Sequence, residues 1–296
     1  MSVGQRSPST TILWVVVTVA ALGEALNAVI PHSLGAPLSF ITMIFPLLHG
    51  ARRYGWRAMG VYLVLVLLIS NALENLSIAT GFPFGNYHYT GSGKIFEVPW
   101  IIGFAYASYG YLAWIIGNVL FAEVRRGSTW LTTIGTPVVA SFAMVDWDLS
   151  MDPSASTIRH NWIWEDGGGF FGVPLANFLG WSLTVYLFFQ IFALYLRRSG
   201  PRAGERPPSS DVQPVLLYAA IAVNFFAEYA RGDRKIVTDA LGHTWHTGDI
   251  YQTSALTTVY GMVFVALMAF LRIAQRRAPA AGPAPVTAGE RDVVDV

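Results

Sequence analysis

The sequence predicts an all-α integral membrane protein, a polytopic bundle of about eight transmembrane helices with both termini in the cytoplasm. Three observations lead to this prediction. The 296 residues are 53% hydrophobic and only 12% charged, against about a quarter charged in soluble proteins. The apolar residues collect in eight long runs, and the basic residues collect in alternate connections between these runs.

The apolar runs approach the length of about 20 residues that a helix needs to cross a bilayer. The first, TILWVVVTVAALGEALNAVI, is predicted to be a retained helix and not a cleaved signal peptide. It is long, its basic flank is only Arg6, and it contains Glu24 and Asn27. The second and fifth runs are short. The predicted spans are 11–30, 36–51, 58–78, 98–122, 130–147, 174–197, 213–230 and 252–273.

The distribution of basic residues predicts the orientation, because Lys and Arg collect in cytoplasmic loops. A cytoplasmic N-terminus places fourteen of the nineteen Lys and Arg residues on the cytoplasmic side. The polar, Pro/Gly-rich segment 198–212 is then a flexible cytoplasmic linker. We therefore expect a multi-pass protein of the cell membrane, with a single transmembrane domain over 1–277 and a disordered cytoplasmic tail over 278–296.

Composition also excludes several functions. The chain has no cysteine, so disulfides, thiolate metal sites and cysteine nucleophiles are excluded. Its two lysines, Lys94 and Lys235, lie outside the apolar runs, which excludes an intramembrane Schiff base of the retinal type. The sequence has no basic stripe with interleaved polar residues, and nucleic acid is not expected as a partner.

Several polar side chains interrupt the apolar runs, and ionisable groups within a bilayer are functional candidates because they are costly to bury. On the predicted topology they lie near the outer ends of their helices, where the loops 79–97, 148–173 and 231–251 also emerge. The sequence therefore predicts one polar chamber at the outer leaflet. Its candidate residues are Glu24, Asn27, Asn71, Glu74, Asn75, Asp146, Asp148, Asn224 and Glu228.

These polar residues have two interpretations. Asn and Glu side chains join helices by hydrogen bonding in many membrane bundles, and this structural role is favoured for any single Asn. For the acids both roles stay open, because no basic residue within the helices neutralises them. A carboxylic acid held neutral in an apolar site is a proton donor.

The acids of the stretch DWDLSMDP, Asp146, Asp148 and Asp152, carry oxygen ligands that suit a divalent cation. His243 and His246, three residues apart, are a second candidate pair for metal ligation. For the histidines we expect hydrogen bonding at the membrane interface in preference to ligation. The site is predicted to contain no metal.

Three stretches resemble the carotenoid biosynthesis membrane proteins that include the CruF-type carotenoid 1,2-hydratases. They are GFPFGNYHYT (81–90), MDP (151–153) and GGGFFGVPLANFLGW (167–181), and the resemblance extends from about residue 20 to residue 272. It implies addition of water to the terminal C1=C2 double bond of an acyclic ψ-end group. The implied substrate is a lycopene-, γ-carotene- or bacterioruberin-type carotenoid in the lipid bilayer. The resemblance implies no redox cofactor, and neighbouring carotenoid-pathway enzymes are candidate partners.

Such a hydration needs an acid that protonates C2, stabilisation of a tertiary cation at C1, and a base that accepts a proton from the attacking water. The candidate catalytic residues are Asp146, Asp148, Glu74 and Glu228; Asp146 and Asp148 lie on different helix faces, so we expect only one to point inward. The candidate substrate- and water-binding residues are Glu24, Asn71, Asn75, Phe82, Phe84, Tyr87, Tyr89, Trp147, Asp152, Trp164, Asn177, His243 and His246.

The aromatic loop GFPFGNYHYT has a role in this interpretation. Gly81, Pro83 and Gly85 would fix its backbone, and its Phe and Tyr side chains would wall the end of a polyene tunnel and exclude stray water. The alternative is a rigid cap that only closes the bundle. Tryptophans of the other loops either belong to the aromatic belt at the headgroups or stabilise a cation with their ring faces.

Two other functions remain as alternatives. DWDLSMD and the basic stretch RGDRK (231–235) would suit an intramembrane, Mg²⁺-dependent prenyltransferase acting on an isoprenoid diphosphate, although a second Asp-rich motif is absent from the sequence. A non-catalytic carotenoid-binding or transport protein is the other alternative, although transporters commonly show matching halves and no internal repeat is visible.

Overall fold

The computed structural model describes residues 8–29, 35–201 and 209–278. These residues form eight helices, one for each apolar run of the sequence. The side chain of Asn27, part of the predicted linker and the predicted tail from residue 279 onward lie outside the described part. The helices are α1 (Pro8–Val29), α2 (Gly35–Tyr54), α3 (Trp56–Thr80), α4 (Trp100–Leu120), α5 (Trp130–Pro153), α6 (Leu175–Ser199), α7 (Ser209–Arg231) and α8 (Thr247–Arg277).

Helix α4 lies at the centre of the bundle. Its sequence is apolar on every side, which is the pattern of a helix that is buried all round. Almost every residue from Tyr106 to Val119 is buried, and α4 packs against α2, α3, α5, α7 and α8. The approach to α5 is close, since a Cβ added to Gly117 would lie 2.8 Å from the Cβ of Ala140.

Five helices are long and apolar enough to cross a membrane, namely α3, α4, α6, α7 and α8. Large apolar side chains such as Val64 and Leu68 face outward from α3, as expected of a helix that contacts lipid. The described apolar part of α1, Thr10–Glu24, is shorter than a span. The predicted helical membrane bundle is confirmed to this extent, and the total of eight spans and the cytoplasmic termini stay predictions.

The described loops after α3, α5 and α7 contain three small antiparallel sheets, of which one joins the loops after α3 and α5 and the other two are hairpins within a single loop. The sequence predicts structured loops here but no strands. The main pairing joins two loops that are separated in the chain by α4 and α5, so no local pattern reveals it. The strand pairs are β1 (Tyr87–Tyr89) with β4 (Trp162–Trp164), β2 (Lys94–Ile95) with β3 (Val98–Pro99), and β5 (Ile236–Thr238) with β6 (Thr244–His246).

The aromatic loop is fixed to the end of α3. Gly81 has φ 78° and donates its N–H to the carbonyl of Ser77 (2.7 Å), the left-handed arrangement in which glycine commonly ends a helix. The hydroxyl of Ser77 accepts the N–H of Phe84 (3.0 Å) and donates to the carbonyl of Gly85 (2.9 Å). These bonds set the direction in which β1 leaves the helix.

Candidate functional site

The sheet β1–β4 places four aromatic side chains on one face. Tyr87 is paired with Trp164 and Tyr89 with Trp162, and opposed residues of an antiparallel pair project to the same side. Successive side chains of a strand alternate between the two faces, so His88 and Ile163, which form the middle pair, project to the opposite face. All four rings contact acids of α3 and α5. We call this sheet, residues 87–89 and 162–164, the lid.

Glu74 of α3 is buried beneath the lid and accepts three tyrosine hydroxyls. Tyr87 and Tyr89 donate to Oε2, the second at 3.0 Å, and Tyr106 of α4 donates to Oε1 at 2.7 Å. Burial, and then the charge of Glu74, raise the pKa of Tyr87 and Tyr89, so both hydroxyls stay protonated. Three O–H donors around two oxygens suit an ionised carboxylate.

Asp152 lies at the end of α5, beneath the other strand of the lid. Its Oδ1 accepts the indole N–H of Trp162 (3.1 Å) and of Trp164 (3.3 Å), and its Oδ2 accepts the amide of Asn177 on α6 (2.6 Å). One turn earlier, the buried Asp148 accepts from the same amide at 3.0 Å. A single NH₂ group of Asn177 therefore bridges two carboxyl groups.

Asp148 differs from Glu74 and Asp152 in the hydrogen bonding of its carboxyl oxygens. Among the described residues its Oδ1 has no hydrogen-bond partner, whereas both oxygens of Asp152 and of Glu74 accept hydrogen bonds. The donors to all three carboxyls are hydroxyl, indole and amide groups, which are neutral. Two carboxyls that share a buried site without a cation do not both ionise. The Asp148–Asp152 pair therefore retains a proton, and the unpartnered oxygen is a position for it.

A small cavity lies between the lid and these acids. Its volume is ≈ 40 Å³, which is room for a few water molecules at roughly 10–15 Å³ each. Glu74, Asp152 and Asn177 are its polar walls, and Asp148 is not part of the lining. The remaining lining residues are Phe84, Tyr87, Tyr89, Ile102, Ala105, Trp147, Met151, Trp162, Trp164 and Trp181.

The aromatic wall of the cavity is held by ring stacking. Tyr106 stacks on Trp181 with centroids 4.2 Å apart, and Tyr109 stacks on Trp147 at the same distance. Trp147 meets Trp181 edge to face at 5.9 Å. Ring faces can stabilise a nearby positive charge, and the cavity places the carboxyl groups of Glu74 and Asp152 beside such ring faces.

The structure brings together most of the predicted site residues. They are Glu74, Phe84, Tyr87, Tyr89, Trp147, Asp148, Asp152, Trp164 and Asn177. The sequence analysis did not identify Tyr106 as a site residue, and it considered Trp181 only among the loop tryptophans that either belong to the aromatic belt or stabilise a cation. For Tyr106 a signal exists, since the hydroxyl of a tyrosine in a helix buried all round needs a polar partner.

Two predicted catalytic acids lie elsewhere. Asp146 is half-buried on another face of α5, where it packs against Gly261 in a π-helical segment of α8; a Cβ added to Gly261 would lie 3.1 Å from its Cγ. Glu228 forms an ion pair with Arg159 (2.6 Å). As expected, only one of the adjacent acids Asp146 and Asp148 faces the cluster beneath the lid.

The residues of the predicted single chamber lie in several separate groups. Glu24 accepts the amide of Asn224 (2.6 Å) and the hydroxyl of Thr42 (3.3 Å), a contact between α1, α7 and α2 that does not reach the cavity lining. Asn75 donates to Asn71 (2.7 Å to its carbonyl) and accepts the N–H of Glu97 at 2.9 Å. The bond from Asn224 to Glu24 joins two helices, whereas the contacts of Asn75 lie within α3 and with the loop that follows it.

The remaining predicted binding residues lie on the surface. Phe82 and His246 are exposed, and His243 contacts Asp239 (3.2 Å). Burial acts to raise the pKa of Asp239, but hydrogen bonds from the indole of Trp245 and from two backbone N–H groups outweigh it and lower the pKa. This network orders the β5–β6 hairpin, and neither histidine lines the cavity.

Two comparisons with known proteins find similarity to proteins of carotenoid biosynthesis. The profile of a family described as carotenoid biosynthesis protein matches residues 11–236, a range that includes the lid and all three clustered acids. A curated relative, bisanhydrobacterioruberin hydratase of Haloarcula japonica, is 29% identical over 168 residues, 56% of this chain and 53% of that protein. The match thus spans about half the length of the relative.

No solved structure matches the chain. The family profile covers well over half of the sequence and runs through α1 to α7. The chain belongs to the carotenoid biosynthesis protein family.

Proposed function

We propose that this protein is a carotenoid hydratase that adds water across the terminal C1=C2 double bond of an acyclic end group. The observation that carries the proposal is a cluster of three buried carboxyls, two of which line an aromatic cavity with room for a few water molecules. The family and the printed name of the relative support it. Hydration of an alkene needs a proton donor, a water molecule and a proton acceptor, and the cluster contains candidates for each role.

The first step is protonation of C2, which leaves a tertiary cation at C1. Asp152 lines the cavity, so it is the member of the Asp148–Asp152 pair that delivers the proton. Asp148 stores the proton of the pair between turnovers. The ring faces of Trp147 and Trp181 and the carboxylate of Glu74 stabilise the cation as it forms.

The second step is attack of water on C1. The O–H bond of the attacking water breaks as the C1–O bond forms, and its proton passes to a carboxylate. Glu74 is the acceptor in this proposal, because it lines the cavity and three hydroxyls donate hydrogen bonds that stabilise its ionised form against the cost of burial. The products are a tertiary alcohol and a protonated Glu74, and return of that proton to the Asp148–Asp152 pair completes the cycle.

The lid excludes bulk water from this chemistry. Its four rings close the cavity and donate hydrogen bonds to Glu74 and Asp152, so the same side chains cover the site and set the positions of the acids. An acid shielded from bulk water keeps its proton for the alkene. The cavity admits the reacting end of a carotenoid only if the lid or the adjoining side chains move.

The proposal is tested by expression in a host that accumulates lycopene, with chromatography and mass spectrometry of the pigment. We expect a product heavier by one water with an unchanged visible spectrum, because the terminal alkene lies outside the chromophore. In membranes that contain preformed lycopene and are transferred to D₂O, the product gains one deuterium at C2. Unaltered lycopene and unaltered γ-carotene, with the protein present in the membrane, would contradict the proposal.

The acids that suggested a prenyltransferase are arranged differently from a diphosphate site. Asp146 faces α8, whereas three of the four carboxyl oxygens of Asp148 and Asp152 accept amide and indole N–H groups. A carotenoid-binding scaffold is distinguished by the same expression experiment. A scaffold would retain pigment through purification and leave its mass unchanged.

A further inference from the structure

The β2–β3 hairpin presents two large apolar side chains at its tip. Phe96 is 82% exposed and Ile95 is 52% exposed. Phe96 also has φ 55°, a backbone region where Gly, Asn and Asp are favoured in tight hairpins and bulky side chains are rare. A strained bulky residue that buries nothing within the protein indicates a function outside it.

The hairpin is held in a fixed position on the bundle. The N–H of Trp100 donates to the carbonyl of Gly93 (3.0 Å), and the N–H of Glu97 donates to Asn75 on α3 (2.9 Å). The charges beside the tip are paired, since Lys94 lies 3.8 Å from Glu97. The apolar tip therefore projects from a rigid base with little net charge, and Asn75 is part of that base.

The tip continues the apolar surface of the helices beside it. At the start of α4, Trp100 is 41% exposed and Ile101 is 38% exposed, and both α3 and α4 are apolar enough to cross a membrane. Tryptophan is enriched where helices leave the bilayer, at the level of the headgroups. The hairpin joins α3 to α4, and α4 begins at Trp100. The hairpin is therefore expected to lie at the level of the headgroups.

We propose that the β2–β3 hairpin is a membrane-interface anchor whose tip, Ile95 and Phe96, inserts into the boundary between headgroups and acyl chains of the leaflet beside the lid. The lipid surface is the partner because the tip is continuous with lipid-facing helix surface. The inference does not depend on the proposed hydratase activity. Since β1 of the lid ends five residues before β2, the anchor fixes the lid relative to the bilayer.

The test uses single-cysteine labelling, for which a chain without cysteine is suited. Phe96→Cys and Ile95→Cys are labelled with an environment-sensitive fluorophore, in the full-length protein at one copy per lipid nanodisc. Glu165→Cys is the matched control, because Glu165 is exposed and is followed by Asp166. Quenching by nitroxide-labelled lipids and by aqueous iodide reports the depth of each label.

We expect lipid nitroxides to quench the labels at 95 and 96 strongly and iodide to quench them weakly, with the reverse at 165. A second variant, Phe96→Gly, removes the apolar ring and relieves the strained backbone. It should leave thermal stability unchanged or raised and move the label at 95 towards water. Iodide quenching at 95 and 96 equal to that at 165 would overturn the proposal and leave the tip as a surface for a protein partner.

Discussion

Asp146 and Asp152 are the same residue type on the same helix, but their carboxyls have different surroundings. Asp152 lines the cavity and accepts three N–H groups, whereas Asp146 packs against Gly261 of α8. In the proposed mechanism Asp152→Asn removes the proton donor and lowers turnover by about 10²–10⁴-fold, the usual contribution of a general acid. Asp146→Asn should keep turnover within a few-fold. The measurement is hydrated product per amount of protein in the membrane.

The two variants control for each other, because each replaces one carboxyl of α5 by an amide of the same shape. Thermal unfolding of both proteins in detergent checks that they are folded. Loss of turnover in Asp146→Asn with normal turnover in Asp152→Asn would place the acid at the α5–α8 contact. Equal losses of turnover in both folded variants would contradict the assignment of the proton donor to the acid that lines the cavity.

At the scale of single residues, the sequence shows which acids lie among apolar residues but not which side chains bind to them. Glu74, Asp148 and Asn177 are recognisable because each is polar within an apolar run. Glu228 and Glu24 show the same pattern, yet Glu228 pairs with Arg159 and Glu24 accepts from Asn224. Those partners are distant in the chain, so the spacing that finds an acid does not say whether a neighbour already engages it.

At the scale of elements, the aromatic loop (81–90) and α6 approach each other closely at Gly180. A Cβ added there would lie 2.6 Å from a ring carbon of Phe84 and 2.8 Å from the carbonyl oxygen of Pro83. Gly180→Ala must therefore displace the loop, and we expect destabilisation of about 1–3 kcal/mol, the usual effect of overpacking. Turnover should fall with it, because the loop leads directly into the lid. Thermal unfolding in detergent and the product assay measure the two effects.

Gly60→Ala is the matched control for this variant. Gly60 also lies within a helix, but a Cβ added to it meets nothing within 4 Å. Alanine is favoured over glycine in helix interiors by about 0.5–1 kcal/mol, so this variant should unfold at the same or a higher temperature. A Gly180→Ala protein with the unfolding temperature and the turnover of the wild type would contradict close packing of the aromatic loop against α6.

The helices and the sheets differ in how far the sequence predicts them. Each helix follows from an apolar run, which is a local pattern, and the structure has a helix for every predicted run. The lid depends on the pairing of Tyr87 with Trp164, which are separated in the chain by α4 and α5. Strands of three residues are too short to show a periodicity in the sequence. The sequence does indicate rigidity here through Gly81, Pro83 and Gly85, and the contacts of Ser77 confirm that this loop is held in place.

At the scale of the whole molecule, the two ends of the bundle have different chemistry. At the end opposite the lid, the buried Arg53 of α2 donates to Asp211 of α7 (2.6 Å) and to Glu123 of the α4–α5 loop (3.1 Å). Arg276 of α8 lies 3.9 Å from the same Asp211. At the lid end the three buried acids beneath the lid, Glu74, Asp148 and Asp152, have neutral donors instead. The charged end is the one that the distribution of basic residues predicts to face the cytoplasm.

This arrangement bears on the number of spans, because α5 begins beside the charged end and ends beneath the lid. By hydropathy α5 is not among the described helices that resemble a span, but its course from one end of the bundle to the other predicts that it crosses. Arg125→Cys and Glu165→Cys flank α5, and both positions are exposed. In right-side-out vesicles, a membrane-impermeant maleimide should label the cysteine at 165 directly and the one at 125 only after permeabilisation. Labelling of both from one side would contradict a crossing by α5 and the eight-span topology with it.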